Sequence, residues 1–409
     1  MQKNQINKYI FLVQASSTSW SGGPDDCLNN LHGKTILQHT VDKVLADLYD
    51  YVKKLVIIAP EFDKGGLDIF VEQHPLLSVS YGFDESPLMR MVTATHDLTD
   101  EDIFCRINAL NFCFDSSAAV NNLQTAEIKS IDCIKFPDDF PALFTSDIYK
   151  VGALRRIAAT ENLNLKYHIH PKYYMETTDG FTLNTYKPNM DLYSDSFLMS
   201  IRSKCIESTN AKRIPIVESK VVQSGCTITH HYQIALDYIQ SDMKVLDLAC
   251  GNGFGTRILA GKASEVYGLD NDNEIILKAQ NDEGRIPNSR FILGDVLNIP
   301  FEGESFDCVV AFEILEHVDP DTLLEEITRI LKKDALAIIS TPQNSLGHIP
   351  LTPAHIQEFS GATLREIISK YLSIVDFIGI KQGAISIKGQ GEEIGSNSFV
   401  ICKKPQQSL

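Results

Sequence analysis

The feature that most constrains this chain lies between residues 243 and 260. An apolar run, Met243 to Ala249, carries Asp247 near its end and leads into Gly251-Asn252-Gly253-Phe254-Gly255, after which Thr256, Leu259 and Ala260 follow at helical spacing. Glycines so placed serve a sharp strand-to-helix reversal and a close approach of backbone to ligand, and the helix behind them offers free N–H groups. The pattern predicts a nucleotide-binding turn in a parallel α/β sheet. Glu265 to Leu269 reads as the next strand, and Asp270 ends it nineteen positions after Gly251. An acidic side chain there can accept both hydroxyls of a ribose. A dinucleotide fingerprint would need a small residue at position 256, where Thr256 stands, so NAD is the weaker cofactor reading.

The rest of the chain sets limits. At 409 residues it is long enough for two apolar cores. The formal charge of -16 argues against a long nucleic-acid footprint, because phosphate binding draws on clustered Lys and Arg. DNA is therefore not an expected partner, and RNA is disfavoured. The nine cysteines are scattered without a C-x-x-C pair and read as reduced core thiols. The early apolar run Tyr9 to Val13 is too short for a signal-peptide core, and no stretch of about 18 apolar residues occurs, so a cytoplasmic protein without a membrane span is expected.

Two domains are expected. From Tyr9 to about Ala159, strand-like runs (Tyr9 to Val13, Leu55 to Ala59, Ile103 to Ile107) alternate with helical spacing at Ile36, Leu37, Val41, Val44, Leu45 and Leu48, with a shorter helix around Leu88 to Thr93. The rhythm fades between Lys166 and Ser224. This places an α/β domain at 1–195, a linker region at 196–228 and a second α/β domain at 229–409, opened by a helix over His230 to Ile239.

Past the glycine turn come Phe291-Ile292-Leu293-Gly294-Asp295-Val296, then Ser305 to Glu313, then Ile339-Ser340-Thr341-Pro342. With Val245 to Gly253, these segments resemble in their order the class I S-adenosylmethionine-dependent methyltransferases, from about Thr229 to Lys403. Within them, His231-Tyr232 before the first strand resembles the small-molecule and glycan O-methyltransferases of surface-polysaccharide synthesis. The resemblance implies a Rossmann-like, seven-stranded fold and a small-molecule or glycan acceptor. It implies that the turn at Gly251, Gly253 and Gly255 holds the methionine part of S-adenosylmethionine, Asp247 its amino end and Asp270 its ribose. Asp295 would accept from the adenine amino group, Val296 would donate its backbone N–H, and Ile275 would cover the ring.

Glu313-Ile314-Leu315-Glu316-His317 places three polar donors at i, i+3 and i+4, one face of a helix. Two carboxylates and an imidazole, with His355 as a fourth ligand, suit Mg²⁺ or Mn²⁺. The E-x-x-E-H pattern resembles the metal site of small-RNA 2′-O-methyltransferases and of ubiquinone-pathway O-methyltransferases, which keeps RNA open as an acceptor. Metal-free relatives carry the pattern too, and there Glu316 and His317 would only cap and orient a loop. Transfer to a hydroxyl requires removal of its proton. His317, Glu313 and His355 are the catalytic candidates, with His348 nearby, and Thr341 to Phe359 is expected to bind the acceptor.

Near the N-terminus, Gly33 to Thr40, Glu85-Ser86-Pro87-Leu88-Met89-Arg90 and Phe104 to Asn108 resemble the cytidylyltransferase-like, sugar-activating nucleotidyltransferases. Active members carry cations in the first loop and a metal-binding aspartate after the Arg-Ile strand. Here the loop Ala15 to Asp26 has no cation, and Leu110 takes the aspartate's place. A domain without nucleotidyl transfer is expected, left to bind a nucleotide-linked sugar, dock a partner or stabilise a homodimer.

Overall fold

The computed structural model describes residues 8–19, 23–68, 74–209, 227–281, 286–381, 385–387 and 394–405. The chain divides into two compact units, Met1–Val217 and Glu218–Leu409.

The first unit is built on strands β1 (Tyr9–Gln14), β4 (Val52–Ala59), β5 (Leu77–Tyr81), β6 (Ile103–Asn108), β7 (Cys133–Lys135), β8 (Asp147–Lys150) and β9 (Leu183–Thr185), in the order β5-β4-β1-β6-β8-β7-β9. A short hairpin, β2 (Asn30–Leu31) and β3 (Lys34–Thr35), stands beside this sheet. The pairs β1–β4, β1–β6 and β4–β5 are parallel, whereas β8 runs antiparallel to both β6 and β7. Helix Ile36–Leu48 forms because its apolar residues recur at three and four, and the Thr35 hydroxyl caps it on the Gln38 N–H. It buries Leu37, Val41 and Val44 against β1 and β4. The stretch without readable rhythm contains helices Leu165–Ile169 and Pro171–Thr177. The expected linker at 196–228 begins as helix Asp195–Ser208, whose Leu198, Ile201 and Cys205 are buried, while Glu207 reaches His32 of the hairpin loop. Residues 210–226 lie outside the described residues.

The second unit is a sheet of β10 (Lys244–Leu248), β11 (Glu265–Asp270), β12 (Ser289–Leu293), β13 (Phe306–Phe312), β14 (Leu331–Pro342), β15 (Ser373–Lys381), β16 (Ile385–Ile387) and β17 (Asn397–Lys403), ordered β12-β11-β10-β13-β14-β17-β15-β16. Among the described residues it has eight strands rather than the expected seven, because the short β16 pairs antiparallel with β15. From β12 to β14 the strands are parallel, and β17 inserts antiparallel between β14 and β15. Strand order reverses between β10 and β13, which opens a crevice at their carboxyl ends. Both faces are covered, with Leu246, Leu248, Val309 and Ile339 in one apolar cluster and Val245, Val310, Ile338 and Phe399 in the other. That is why these strands read as continuous apolar runs. Among the described residues, no helix is long and apolar enough to cross a membrane.

Helix Thr227–Leu236 lies against helix Phe254–Ala260, with Tyr232 packed directly over Gly255. A Cβ at Gly255 would stand 1.8 Å from the Tyr232 ring. Gly255→Ala is thus expected to displace Tyr232 and to destabilise the unit by about 3 kcal/mol, read as a lowered urea midpoint. An unchanged midpoint would contradict this packing.

Candidate functional site

The turn after β10 is built as its glycines require. Gly251 and Gly253 have φ of 56° and 79°, in the left-handed region that side chains disfavour. Gly253 also has no room for a Cβ, which would stand 2.4 Å from Phe291. Gly255, by contrast, serves the Tyr232 contact described above.

Beneath the turn Asp247 is fully buried and accepts from the Tyr232 hydroxyl at 3.0 Å and the Thr256 hydroxyl at 2.6 Å. Burial pushes its carboxyl up to about 7, against the opposing pull of these two donors. Thr256, whose size spoke against a dinucleotide, is therefore part of the turn's support. Asp270, 2% exposed at the end of β11, accepts from the Gly251 N–H at 2.9 Å and the Asp272 N–H at 3.0 Å. Asp247 and Asp270 thus hold the turn from two neighbouring strands. Asp295 is exposed after β12 and accepts from the Leu297 N–H, with Val296 buried beside it and Ile275 half-buried on the helix after β11. The glycine-rich turn at the switch point, flanked by carboxylates at successive strand ends, fits a nucleoside-bearing cofactor.

The second cluster sits at the ends of β13 and β14. Here the structure corrects one expectation: Glu313 to His317 is not one helical face. Glu313 takes φ 52°, and only Leu315–His317 forms a 3₁₀ turn, with the following helix starting at Pro320. The left-handed conformation gives Glu313 partners outside the 3₁₀ turn. Its oxygens accept from the Ser340 hydroxyl at 2.9 Å and from the Asn397 amide at 3.0 Å.

Ligand atoms of Glu316, His317 and His355 lie within 4.8 Å of one another. Glu313 stands outside this group, and His348 is exposed elsewhere in the loop. Glu316 is 1% exposed and accepts from the Thr341 hydroxyl at 2.8 Å. Burial first, and the charge of Glu313 second, hold its carboxyl well above the usual range. His317 donates from Nδ1 to the Ala354 carbonyl at 3.0 Å, and His355 from Nδ1 to Glu358 at 2.8 Å. Glu358 in turn accepts from the Asn344 amide at 2.8 Å. Each Nδ1–H is thereby committed, which makes Nε2 the lone-pair atom of both rings. The loop carrying these groups is pinned by the Asn344 N–H on the Phe359 carbonyl and the Ile356 N–H on the Glu316 carbonyl.

In the first unit the loop after β1 folds onto its own scaffold. The Ser17 N–H and hydroxyl both donate to Asp63. Arg106 is bound to Gln14 and Asp147, and Leu110 packs on the apolar core.

Sequence reasoning gave no site role to Thr256, Ser340 or Asn397, whereas Asn344 and Glu358 fall inside the stretch Thr341 to Phe359 expected to bind the acceptor. Of the first three only Thr256, inside the turn itself, carried a local signal.

Comparison with known proteins agrees with this geometry. Residues 246–339 match a family model described as "Methyltransferase domain". A Mycolicibacterium smegmatis protein named "Probable S-adenosylmethionine-dependent methyltransferase" is 31% identical over 34% of this chain and 56% of its own length. The demethylmenaquinone methyltransferase of Thermotoga maritima is 36% identical over 33% of this chain and 54% of its own. The chain thus spans about half the length of these curated relatives. Among solved structures, the N-methyltransferase NodS from Bradyrhizobium japonicum WM9, in complex with S-adenosyl-l-homocysteine, is 16% identical over 44% of this chain and 85% of its own, with a TM-score of 0.35.

Because Asp247 keeps its proton to about pH 7 when folded but would lose it near pH 4 when unfolded, its contribution to stability is complete below pH 4 and drains as pH rises to 7. Asp247→Asn should remove that slope, which is worth on the order of 4 kcal/mol across the window. Urea titrations from pH 4 to 8 giving parallel curves for wild type and variant would refute it. With the turn, its carboxylates and the matched segment all in the second unit, the chain carries there a class I S-adenosylmethionine-dependent methyltransferase domain.

Proposed function

We propose that the protein transfers a methyl group from S-adenosylmethionine to a hydroxyl of a sugar, nucleotide-linked sugar or glycan. The observation that carries this reading is the polar cluster at the ends of β13 and β14: Glu316, His317 and His355 lie together, with Thr341 bonded to Glu316, Asn344 to Glu358 behind His355, and Glu313 at the end of β13. Such a lining suits a polyhydroxylated acceptor better than an apolar ring. S-adenosylmethionine, when bound, supplies an activated methyl on its sulfonium. The chain's own work is to hold it, with the turn and Asp270, and to orient the acceptor and take its proton.

The donor set Glu316, His317 and His355 fits a divalent ion, since both imidazoles are oriented by a second acceptor. Two nitrogens beside one carboxylate suit a first-row ion such as Mn²⁺ better than Mg²⁺, and such an ion would supply Lewis-acid activation of a hydroxyl. Glu313, engaged by Ser340 and Asn397, stands apart as a proton acceptor.

For the first unit we propose a nucleotidyltransferase-like domain without nucleotidyl transfer. Leu110, packed on the apolar core, offers no oxygen to a metal, and Ser17 is spent on Asp63.

Methyl transfer from labelled S-adenosylmethionine to free and nucleotide-linked sugars, with demethylmenaquinone in parallel, tests the acceptor class. Label is expected in the sugar fraction, and label in the quinone alone would overturn it. Chelation should remove most of the activity and Mn²⁺ restore it, and Glu316→Ala should weaken Mn²⁺ binding at least tenfold by calorimetry. Full activity in chelator would refute the metal. CTP and a sugar should yield no pyrophosphate, and any release would contradict the account of the first unit.

A further inference from the structure

His231 is wholly buried in the helix before β10, and neither the cofactor turn nor the Glu316 cluster uses it. Its ring sits between Phe312 and Phe399, with centroids at 5.5 and 5.7 Å. An aromatic or aliphatic residue would fill that space without burying a polar edge. Yet Nε2 has no hydrogen-bond partner among the described residues, while Nδ1 lies 3.0 Å from the Ser340 hydroxyl. Ser340 lies in turn 2.9 Å from Glu313 Oε1. The direct separation from Nδ1 to Oε1 is 3.8 Å, too long for a hydrogen bond, so any coupling runs through Ser340.

The direction of this chain follows from counting protons. Ser340 has one hydroxyl hydrogen, and Glu313 in the ionised form that a proton acceptor requires can only accept, although burial holds its carboxyl above the usual range. The serine therefore donates to Glu313 and accepts from His231, which requires the Nδ1–H tautomer. Burial pushes the imidazole down to about 3, so it is neutral, and the atom left in apolar surroundings is a bare acceptor rather than a stranded N–H. Asn397 donates to the other oxygen of Glu313. Both Glu313 oxygens are thus fixed from behind, on a backbone already held at φ 52° with its N–H on the Ser340 carbonyl. About a quarter of the side chain, 26%, remains exposed. Each oxygen keeps a further lone pair for a group arriving from that side.

We propose that His231 is a positioning residue for methyl transfer: through Ser340 it sets the direction of the hydrogen-bond chain that presents Glu313 as an oriented acceptor for the proton of the methyl acceptor. This rests on the hydroxyl-methylating reading above. In the step, the acceptor's O–H proton passes to a Glu313 oxygen while the acceptor oxygen's electron pair forms the bond to the methyl carbon. The pair of the broken carbon–sulfur bond stays on sulfur, so charge and atoms balance.

The test uses the full chain. In ¹⁵N-edited NMR of labelled histidines at pH 7, the resonance absent from His231→Phe should show a proton on Nδ1 and none on Nε2. Crystals grown with S-adenosylhomocysteine should show the Glu313 carboxyl displaced from Asn397 in His231→Phe. In His231→Asn, whose amide can replace the Nδ1–H, it should return. Affinity for S-adenosylhomocysteine should stay within about twofold throughout. A proton on Nε2, or an unmoved Glu313 in the Phe variant, overturns the proposal. If His231→Phe does not fold, the resonance is assigned from His231→Asn and the wild-type tautomer decides alone. Failure of wild type to bind S-adenosylhomocysteine would instead sink the methyltransferase reading, a separate outcome.

Discussion

The buried carboxyl of Asp247 is the contact on which the second unit's chemistry depends. It receives one hydroxyl from Tyr232, on the helix before the first strand, and one from Thr256, on the helix after the turn. Three segments are thereby tied at the point where strand order reverses. Burial of an acid is costly unless donors face it, and here two do. The same packing explains why position 255 is glycine: the Tyr232 ring reaches Asp247 only by occupying the space of a Cβ there. Asp270 completes the support by accepting from the Gly251 N–H, so the residue expected to face a ribose also shapes the turn beside it.

The acceptor side is organised differently, around a strained residue and a folded loop. At Glu313 the chain leaves β13 in a left-handed conformation, which costs free energy in any residue with a side chain. That cost is offset by hydrogen bonds from two strands, Ser340 on β14 and Asn397 on β17. The consequence is a division of labour among acidic groups close in sequence: Glu313 is held by neutral donors, whereas Glu316 faces two imidazoles whose own orientation is set by Ala354 and Glu358. On the proposed hydroxyl-methylating reading, an ion and a proton acceptor would act on one hydroxyl without competing for one carboxylate.

Much of this was legible in the amino-acid order, and the rest was not for definite reasons. The turn could be read because its demands are local: Gly251 and Gly253 adopt backbone angles that side chains resist, and Asp270 lies one strand away. The strands could be read because both faces of the sheet are covered, which forces unbroken apolar runs such as Phe306–Phe312. The helical face expected across Glu313, Glu316 and His317 failed because spacing alone cannot reveal a left-handed residue that breaks the helix before it starts. Ser340 and Asn397 escaped because their partners are set by tertiary packing. Asn397 and Glu313 are 84 positions apart and meet only because β17 inserts beside β14. The extra strand β16 was hidden for the same reason, since it exists only through its pairing with β15.

The most direct test of the central claim is calorimetric titration of the full chain and of Asp270→Ala with S-adenosylhomocysteine. Saturable one-to-one binding by the wild type, weakened at least tenfold in the variant, is the result this account predicts. No binding by a folded wild-type protein, or equal affinity in the two, would contradict the assignment of the Gly251 to Gly255 turn and Asp270 as the cofactor site.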